Sequence, residues 1–155
     1  VARQNGWARF VSIQPHYHMF HRKIEQDLVP SCQYHRIGIL PYFPLAGGFL
    51  TGKYRAGQPA PQGSRGESNG YVQQYFTDAN YAKVERLIAY AEEHDRSLGG
   101  LAHAWLLAQP QISSVISGAT KISHVLDNLS AFDWQLTDEQ VAEINQILDE
   151  KEGKI

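Results

Sequence analysis

Apolar and polar positions follow two regimes along this chain. Up to about Tyr54 the apolar residues come in short runs broken by proline and glycine, whereas from Val84 onward they recur at helical spacing. Ala8 to Ile13, around Phe10-Val11-Ser12-Ile13, predicts a strand that ends at Gln14-Pro15, because proline has no N–H for a ladder. A loop from Pro15 to Phe20 follows, then a helix candidate from His21 to about Arg36, kinked or divided by Pro30. Ile37 to Tyr42 is an apolar run suited to a strand buried on both faces. Pro44, Gly47, Gly48 and Gly52 then forbid a regular continuation. Ala56 to Tyr75 is polar, rich in Gly, Pro, Gln and Ser, and without periodicity, which predicts a mobile flap.

The second half predicts helices. Val84, Leu87, Ile88 and Ala91 recur at i, i+3, i+4 and i+7, as do Leu101, Ala104, Trp105 and Ala108. This spacing gives two amphipathic helices, each with one apolar stripe, flanking a break at Leu98-Gly99-Gly100. Gln109-Pro110 stops the second, and Ser113 to Ser117 predicts a short strand ending at Gly118. A helix from about Ser123 carries Val125, Leu126, Leu129 and Phe132 on one side. Thr137 and Gln140 form a capping-box pattern for a last helix with Val141, Ile144 and Leu148 inward. The order strand, helix, strand, helices, strand, helix predicts an α/β fold of parallel βα units with right-handed crossovers.

Composition narrows the partners. The chain has 155 residues, enough for a real core, and one domain spanning 1–155 is the default. A formal net charge of -2 gives no footprint for nucleic acid or an anionic membrane surface, so a small molecule is the expected partner. Cys32 is the single cysteine, which excludes an internal disulfide and fits a reducing compartment. With no secretion signal and no apolar run of spanning length, a cytoplasmic protein is expected. The chain starts at Val1 and its single methionine is Met19, so a fragment of a longer protein is expected.

Two segments carry candidate chemistry. In Gly38 to Tyr54 an apolar strand runs out into a glycine-rich loop, where backbone N–H groups can approach an anion and Lys53 can add the countercharge. A plain turn with a surface lysine fits the same residues. In Ser117-Gly118-Ala119-Thr120-Lys121-Ile122-Ser123-His124 a strand ends in Gly-Ala just before a helix N-terminus, which presents free N–H groups and the positive end of the dipole.

Several ordered motifs resemble the aldo-keto reductase family. Gln14-Pro15-His16-Tyr17 with Arg22 is similar to the end of its sixth strand, and Pro44-Leu45-Ala46-Gly47-Gly48 through Thr51-Gly52-Lys53-Tyr54 to the segment after its seventh. Leu101 to Leu107, Ile116-Ser117-Gly118-Ala119 and Asp127-Asn128-Leu129 resemble its seventh helix, eighth strand and eighth helix. The resemblance implies the C-terminal portion of a (β/α)8 TIM barrel, about three βα units plus a C-terminal helix, since a whole barrel needs roughly 250 residues.

It also implies site roles for an NADP cofactor. Gln14 falls where the family holds the nicotinamide carboxamide, and Tyr42 at its aromatic platform for the nicotinamide ring. Pro44, Leu45, Ala46, Thr51 and Lys53 match the loop around the pyrophosphate, with Phe43 replacing a serine common in the family, and Arg65 can reach a phosphate from the flap. Ser117, Gly118, Ala119 and Thr120 form the second phosphate segment. His124 lies where many members carry Arg or Gln near the 2′-phosphate, and Asp127 and Asn128 match the pair at the adenine end. Each has a plainer alternative: a solvent-facing strand end for Gln14, rim packing for Tyr42, a solvated helix face for Asp127 and Asn128.

The family's catalytic Asp, Tyr, Lys and His belong to the first half of the barrel, so the chain carries no catalytic residue and is expected to be inactive alone. Its expected partners are NADP(H), a small carbonyl substrate and the missing N-terminal half of the barrel. A noncatalytic regulatory module, as in channel-associated subunits, and a half-barrel pairing with a second copy are the alternatives. His16, His18 and His21 lie close together, but Pro15 opposes a common strand face and no cysteine or carboxylate completes a metal site. His103 beside an apolar stripe reads as a satisfied, partly buried histidine. The polar segment after Glu150 suggests no substrate.

Overall fold

The structure is a computed structural model and describes residues 1–150; the segment after Glu150 lies outside the described residues. Three stretches of extended chain lie parallel. β1 (Ser12–Ile13) pairs with β2 (Gly38–Ile39) in the register Ser12↔Gly38 and Ile13↔Ile39. Beyond them single parallel bridges join His16 to Tyr42, Ile39 to Ile112, and Tyr42 to Ile116. The middle stretch is bonded on both sides: Gly38, Leu40 and Tyr42 donate to the carbonyls of Val11, Ile13 and Pro15, while Ile39 donates to Gln111 and accepts from Ser113. This is the alternation that a central parallel strand requires.

The strands are shorter than the apolar runs predicted. Phe10 and Val11 fall outside β1 and are 86% and 78% exposed, and the third stretch contributes single bridges at Ile112 and Ile116 in place of a ladder. For β1 the physical reason is the missing neighbour: among the described residues nothing pairs with its far side, so only positions facing β2 are fixed.

Between β1 and β2 the chain forms a 3₁₀ turn, Lys23–Glu25, and then α1 (Leu28–His35). Pro30 neither kinks nor ends α1. It sits in the first turn, where a backbone N–H has no helical acceptor and its loss costs nothing. The division predicted at Pro30 therefore falls just before Leu28.

The segment predicted as a mobile flap is packed. It holds a 3₁₀ turn, Arg65–Glu67, and α2 (Gly70–Gln73), and it buries Val72 fully and Tyr75 almost fully. The Gly66 N–H donates to the Tyr54 hydroxyl at 2.9 Å, and the Gln73 side chain donates to the Gly66 carbonyl at 3.0 Å. Its polar composition masked three anchors: Gly66 on Tyr54, Tyr75 on Phe49, and Val72 against Gly47.

α3 (Asp78–Glu93) is amphipathic as its spacing predicts, burying Val84, Leu87, Ile88 and Ala91, and Thr77 caps it by accepting from Asn80 N. α4 (Leu98–Leu107) differs from prediction. Gly99-Gly100 does not break the chain but forms the first turn, capped by Ser97 accepting from Gly100 N; the break is the turn at His94 to Ser97, where Asp95 adopts φ 55°. Leu98 through Leu106 are all buried, His103 included, so α4 is covered all round and has no single stripe, while Ala108 beyond its end is exposed. α5 (Ile122–Leu129) carries Val125, Leu126 and Leu129, with Phe132 just beyond, and all four are substantially exposed. α6 (Asp138–Asp149) begins with the predicted capping box between Thr137 and Gln140 and buries Ile144, Ile147 and Leu148. No described helix is long and apolar enough to cross a membrane.

A Cβ added to Gly66 would lie 2.5 Å from Tyr54 Cε1 and 2.7 Å from Phe76 Cζ. Gly66→Ala is therefore expected to destabilise the protein by about 1–3 kcal/mol, the usual cost of overpacking. Urea unfolding of both proteins checks it, and an unchanged midpoint would mean that residues 56–75 do not dock.

Candidate functional site

Because the three extended stretches are parallel, their C-terminal ends emerge on one side. His16, Tyr42 and Ile116 are bridged there in one row, with Tyr42 in the middle. Gln14 just precedes this row and is exposed; Ser117 just follows it. In open and closed α/β sheets alike, this rim is where loops of variable sequence assemble binding sites.

The first candidate loop leaves the rim at Tyr42. Phe43 and Ala46 take φ values of 59° and 50°, a left-handed conformation costing roughly 1–2 kcal/mol per residue that carries a Cβ. Gly47, Gly48 and Gly52 also have positive φ, where glycine avoids that cost. Ala46–Thr51 forms a kinked 3₁₀ segment with Pro44 and Ala46 buried and Leu45 half-buried. Thr51 Oγ1 donates to the Gly48 carbonyl at 2.8 Å, closing the loop on itself. The exposed Lys53 folds back over Gly48, its Nζ 5.1 Å from the centre of the Tyr54 ring. Arg65 is exposed on its 3₁₀ turn, and no hydrogen bond of its side chain is seen among the described residues.

The second loop leaves the rim at Ile116. Gly118, Ala119 and Thr120 are exposed and lead into α5, which has no side-chain cap, whereas α3, α4 and α6 are each capped by a Thr or Ser. His124 is exposed, with Nδ1 3.4 Å from Thr120 Oγ1. Asp127 Oδ1 accepts from the same Ser97 hydroxyl that caps α4, at 3.0 Å. The first loop and α5 flank Gly99: a Cβ there would lie 3.4 Å from Asp127 Oδ2 and 4.0 Å from Leu45 Cδ2. The sequence reading treated Gly99 as a breaker and missed this role. A glycine in the first turn of a helix with an N-cap serine three residues before Gly100 was the signal for it.

Ser117 is held from below. His103 Nδ1 donates to the Gly99 carbonyl at 2.7 Å, so in the neutral ring Nε2 accepts the Ser117 hydroxyl proton at 2.6 Å. Burial lowers the His103 pKa, opposed by the Gly99 bond and by Asp127, which favours this neutral form. His103 is buried and bonded at both nitrogens, as a satisfied core histidine should be. His103, Ser117 and Asn128 line an open cavity of about 210 Å³ with Val125, Leu129 and Phe132.

At the first strand end the three neighbouring histidines, weighed in the sequence only as metal ligands, form a ring cluster with Tyr42 and the flap tyrosines. His16 stacks on His21 at 4.0 Å and 20°, and on Tyr42 at 5.3 Å and 15°. Its Nε2 lies 2.5 Å from the Tyr71 hydroxyl. His18 is fully buried: Nδ1 accepts from Phe20 N at 3.2 Å and Nε2 lies 3.2 Å from the Tyr75 hydroxyl. Burial, then the neighbouring His16 and His21, push its pKa down to about 3. Tyr71, Val72 and Tyr75, on one turn of the flap, were the available signal.

The chain matches the Aldo/keto reductase family over residues 1–149 and belongs to that family, whose fold is the (β/α)8 barrel and whose members generally use nicotinamide cofactors. It is 37% identical over 144 residues to a protein of Oryza sativa subsp. japonica named "Probable voltage-gated potassium channel subunit beta", covering 89% of this chain and 44% of that protein. It is 30% identical to the L-glyceraldehyde 3-phosphate reductase of Escherichia coli O157:H7, covering 86% of this chain and 40% of that one. Among solved structures it is similar to the glycerol dehydrogenase of Gluconobacter oxydans, with a TM-score of 0.78 and 28% identity over 93% of this chain and 44% of that chain. The chain thus spans less than half the length of these relatives.

The buried His18 sets a pH dependence. Its pKa falls from 6.5 to about 3 on folding, so between these values the unfolded state holds the extra proton and stability drops as pH falls. The groups facing it are His16, His21 and Tyr75. Unfolding free energy is expected to decline toward acid by up to about 1.4 kcal/mol per pH unit from this residue. His18→Asn should flatten that decline, and equal slopes in both proteins would refute the assignment.

Proposed function

We propose that this chain is the cofactor-binding, C-terminal part of an NADP(H)-dependent aldo-keto reductase that reduces aldehydes or ketones by hydride transfer. In this reading residues 1–155 form about three βα units and the final helix of a (β/α)8 barrel. The observation that carries it is that Leu45 of the first loop and Asp127 of α5, the helix that the second loop leads into, flank Gly99, beside a rim where three parallel strand ends align. A dinucleotide needs such a pair: one loop for its pyrophosphate and one for its adenosine end.

The residues present fit that ligand. Tyr42 offers an aromatic face to the nicotinamide and Gln14 an amide to its carboxamide. Pro44, Leu45, Ala46, Thr51 and Lys53 wrap the pyrophosphate, with Arg65 from the packed flap. Ser117, Gly118, Ala119 and Thr120 supply backbone N–H groups at the uncapped start of α5. His124 reaches the 2′-phosphate, and Asp127 and Asn128 the adenine side. The bound nicotinamide supplies hydride transfer, for which this chain provides binding and orientation. The proton donor of the reaction lies outside the chain. A noncatalytic, channel-associated role is the second reading, favoured by the similarity to the rice protein named as a channel subunit.

Lys53→Met is expected to weaken NADPH binding by the complete protein roughly ten- to a hundredfold, the worth of a charge-assisted phosphate contact. Fluorescence titration checks this, and an unchanged dissociation constant would remove the loop's phosphate role.

The exposed apolar residues define the remaining prediction. Phe10, Val11, Ile122 and Leu126 are from 63% to 86% exposed, and in this reading the rest of the barrel covers them. The 155-residue chain alone is expected to self-associate and to reduce no carbonyl compound. A monodisperse monomer in light scattering, or NADPH turnover by the purified chain, would contradict it.

A further inference from the structure

The ring cluster at the end of the first strand has a direction that its donors and acceptors fix. The Phe20 N–H donates to His18 Nδ1, so the proton of neutral His18 sits on Nε2 and is donated to the Tyr75 hydroxyl. Tyr75 can then donate to Tyr71 at 3.4 Å, and Tyr71 to His16 Nε2 at 2.5 Å. Burial of His18 and Tyr75 disfavours their charged forms, which keeps both groups neutral links. The chain of bonds runs one way, from a backbone amide to the His16 ring.

His16 is in turn the middle member of a stack. His21, His16 and Tyr42 lie nearly parallel, with successive planes inclined by 20° and 15°. The stack ends at Tyr42. His16 stacks on one face of that ring and Phe43 meets it edge-on at 5.5 Å and 63°, so in the cofactor reading the nicotinamide lies on the face away from His16.

We propose that His16 is a positioning residue for the nicotinamide: held by the Tyr71 hydroxyl, it backs the Tyr42 ring and fixes the tilt of the platform. This rests on the cofactor reading given above. It also gives the flap a task, because Tyr71 is the flap residue that holds the ring behind the platform. Sterically, His16 cannot rotate away without breaking the Tyr71 bond and losing its stacking with His21 and Tyr42. The titratable groups facing His16 are His18 and His21 on its own segment, Tyr42 after β2, and Tyr71 on α2.

The test compares two probes on the complete protein: NADPH, and adenosine 2′,5′-bisphosphate, which has the adenine and 2′-phosphate but no nicotinamide. Tyr71→Phe removes the donor and His16→Phe the acceptor, each keeping an aromatic ring. Each is expected to weaken NADPH binding roughly fivefold and leave the bisphosphate unchanged, with the double variant no worse than either single one. Equal weakening of both ligands would reduce His16 to a structural residue and overturn the proposal, as would no change in either. Should the wild type bind the bisphosphate but gain nothing from the nicotinamide, the proposal falls and the phosphate site stands. Failure of the wild type to bind either ligand would instead remove the cofactor reading itself. Tyr71→Phe, at a half-buried site, keeps the test available if His16→Phe does not fold.

Discussion

The rest of the structure depends on a helix that has no outside. α4 buries every residue from Leu98 to Leu106, so neighbours must cover it on all sides. The kinked 3₁₀ segment at Ala46–Thr51, α3, α5 and the turn at Ser130–Asp133 all pack on it. Each large apolar side chain buried there contributes on the order of 1.5–3 kcal/mol. Trp105 is the largest, and its one polar atom is satisfied by Asn145 at 3.1 Å. Arg22 lies over the Trp105 ring at 5.6 Å and is bonded through two nitrogens to Glu25, which also accepts from the buried Tyr17 hydroxyl. A charged pair thus closes the edge of an apolar packing without leaving a buried charge alone.

This packing explains how a strained loop persists beside the rim. Phe43 and Ala46 hold left-handed backbone conformations that an isolated peptide would abandon. Ala46, Phe49 and Leu50 are fully buried, and that burial outweighs the local strain. The start of α4 then serves both candidate loops. Ser97 caps the helix and donates to Asp127, while Gly99 leaves room for Leu45 and Asp127 and gives its carbonyl to His103, which holds Ser117. Cap, glycine and histidine form one connected unit between the two loops.

Much was legible in the sequence because local physics dictates it. The period of Val84, Leu87, Ile88 and Ala91 fixed the buried face of α3, and the Thr137–Gln140 pair fixed the start of α6, since neither depends on distant residues. The order of elements and the Gly-rich turn after Tyr42 indicated parallel βα units, and the parallel bridges agree with that order. The motifs around Gln14, Lys53 and Asn128 indicated the aldo-keto reductase family, to which the chain belongs.

What only the tertiary structure decided concerns contacts between residues far apart in the chain. Gly99-Gly100 read as a break because glycine weakens helices locally; burial of α4 and the Ser97 cap override that weakness. Residues 56–75 read as mobile because polar composition says nothing about Gly66, Val72 and Tyr75 meeting Tyr54, Gly47 and Phe49. The strands came out short because a ladder's length is set by its neighbours and not by its own apolar run. The ring stack of His21, His16 and Tyr42, latched by Tyr71, was beyond reach for the same reason. Sequence spacing fixes which face a side chain takes within one element, but a stack assembled from three separate segments exists only once the chain has folded.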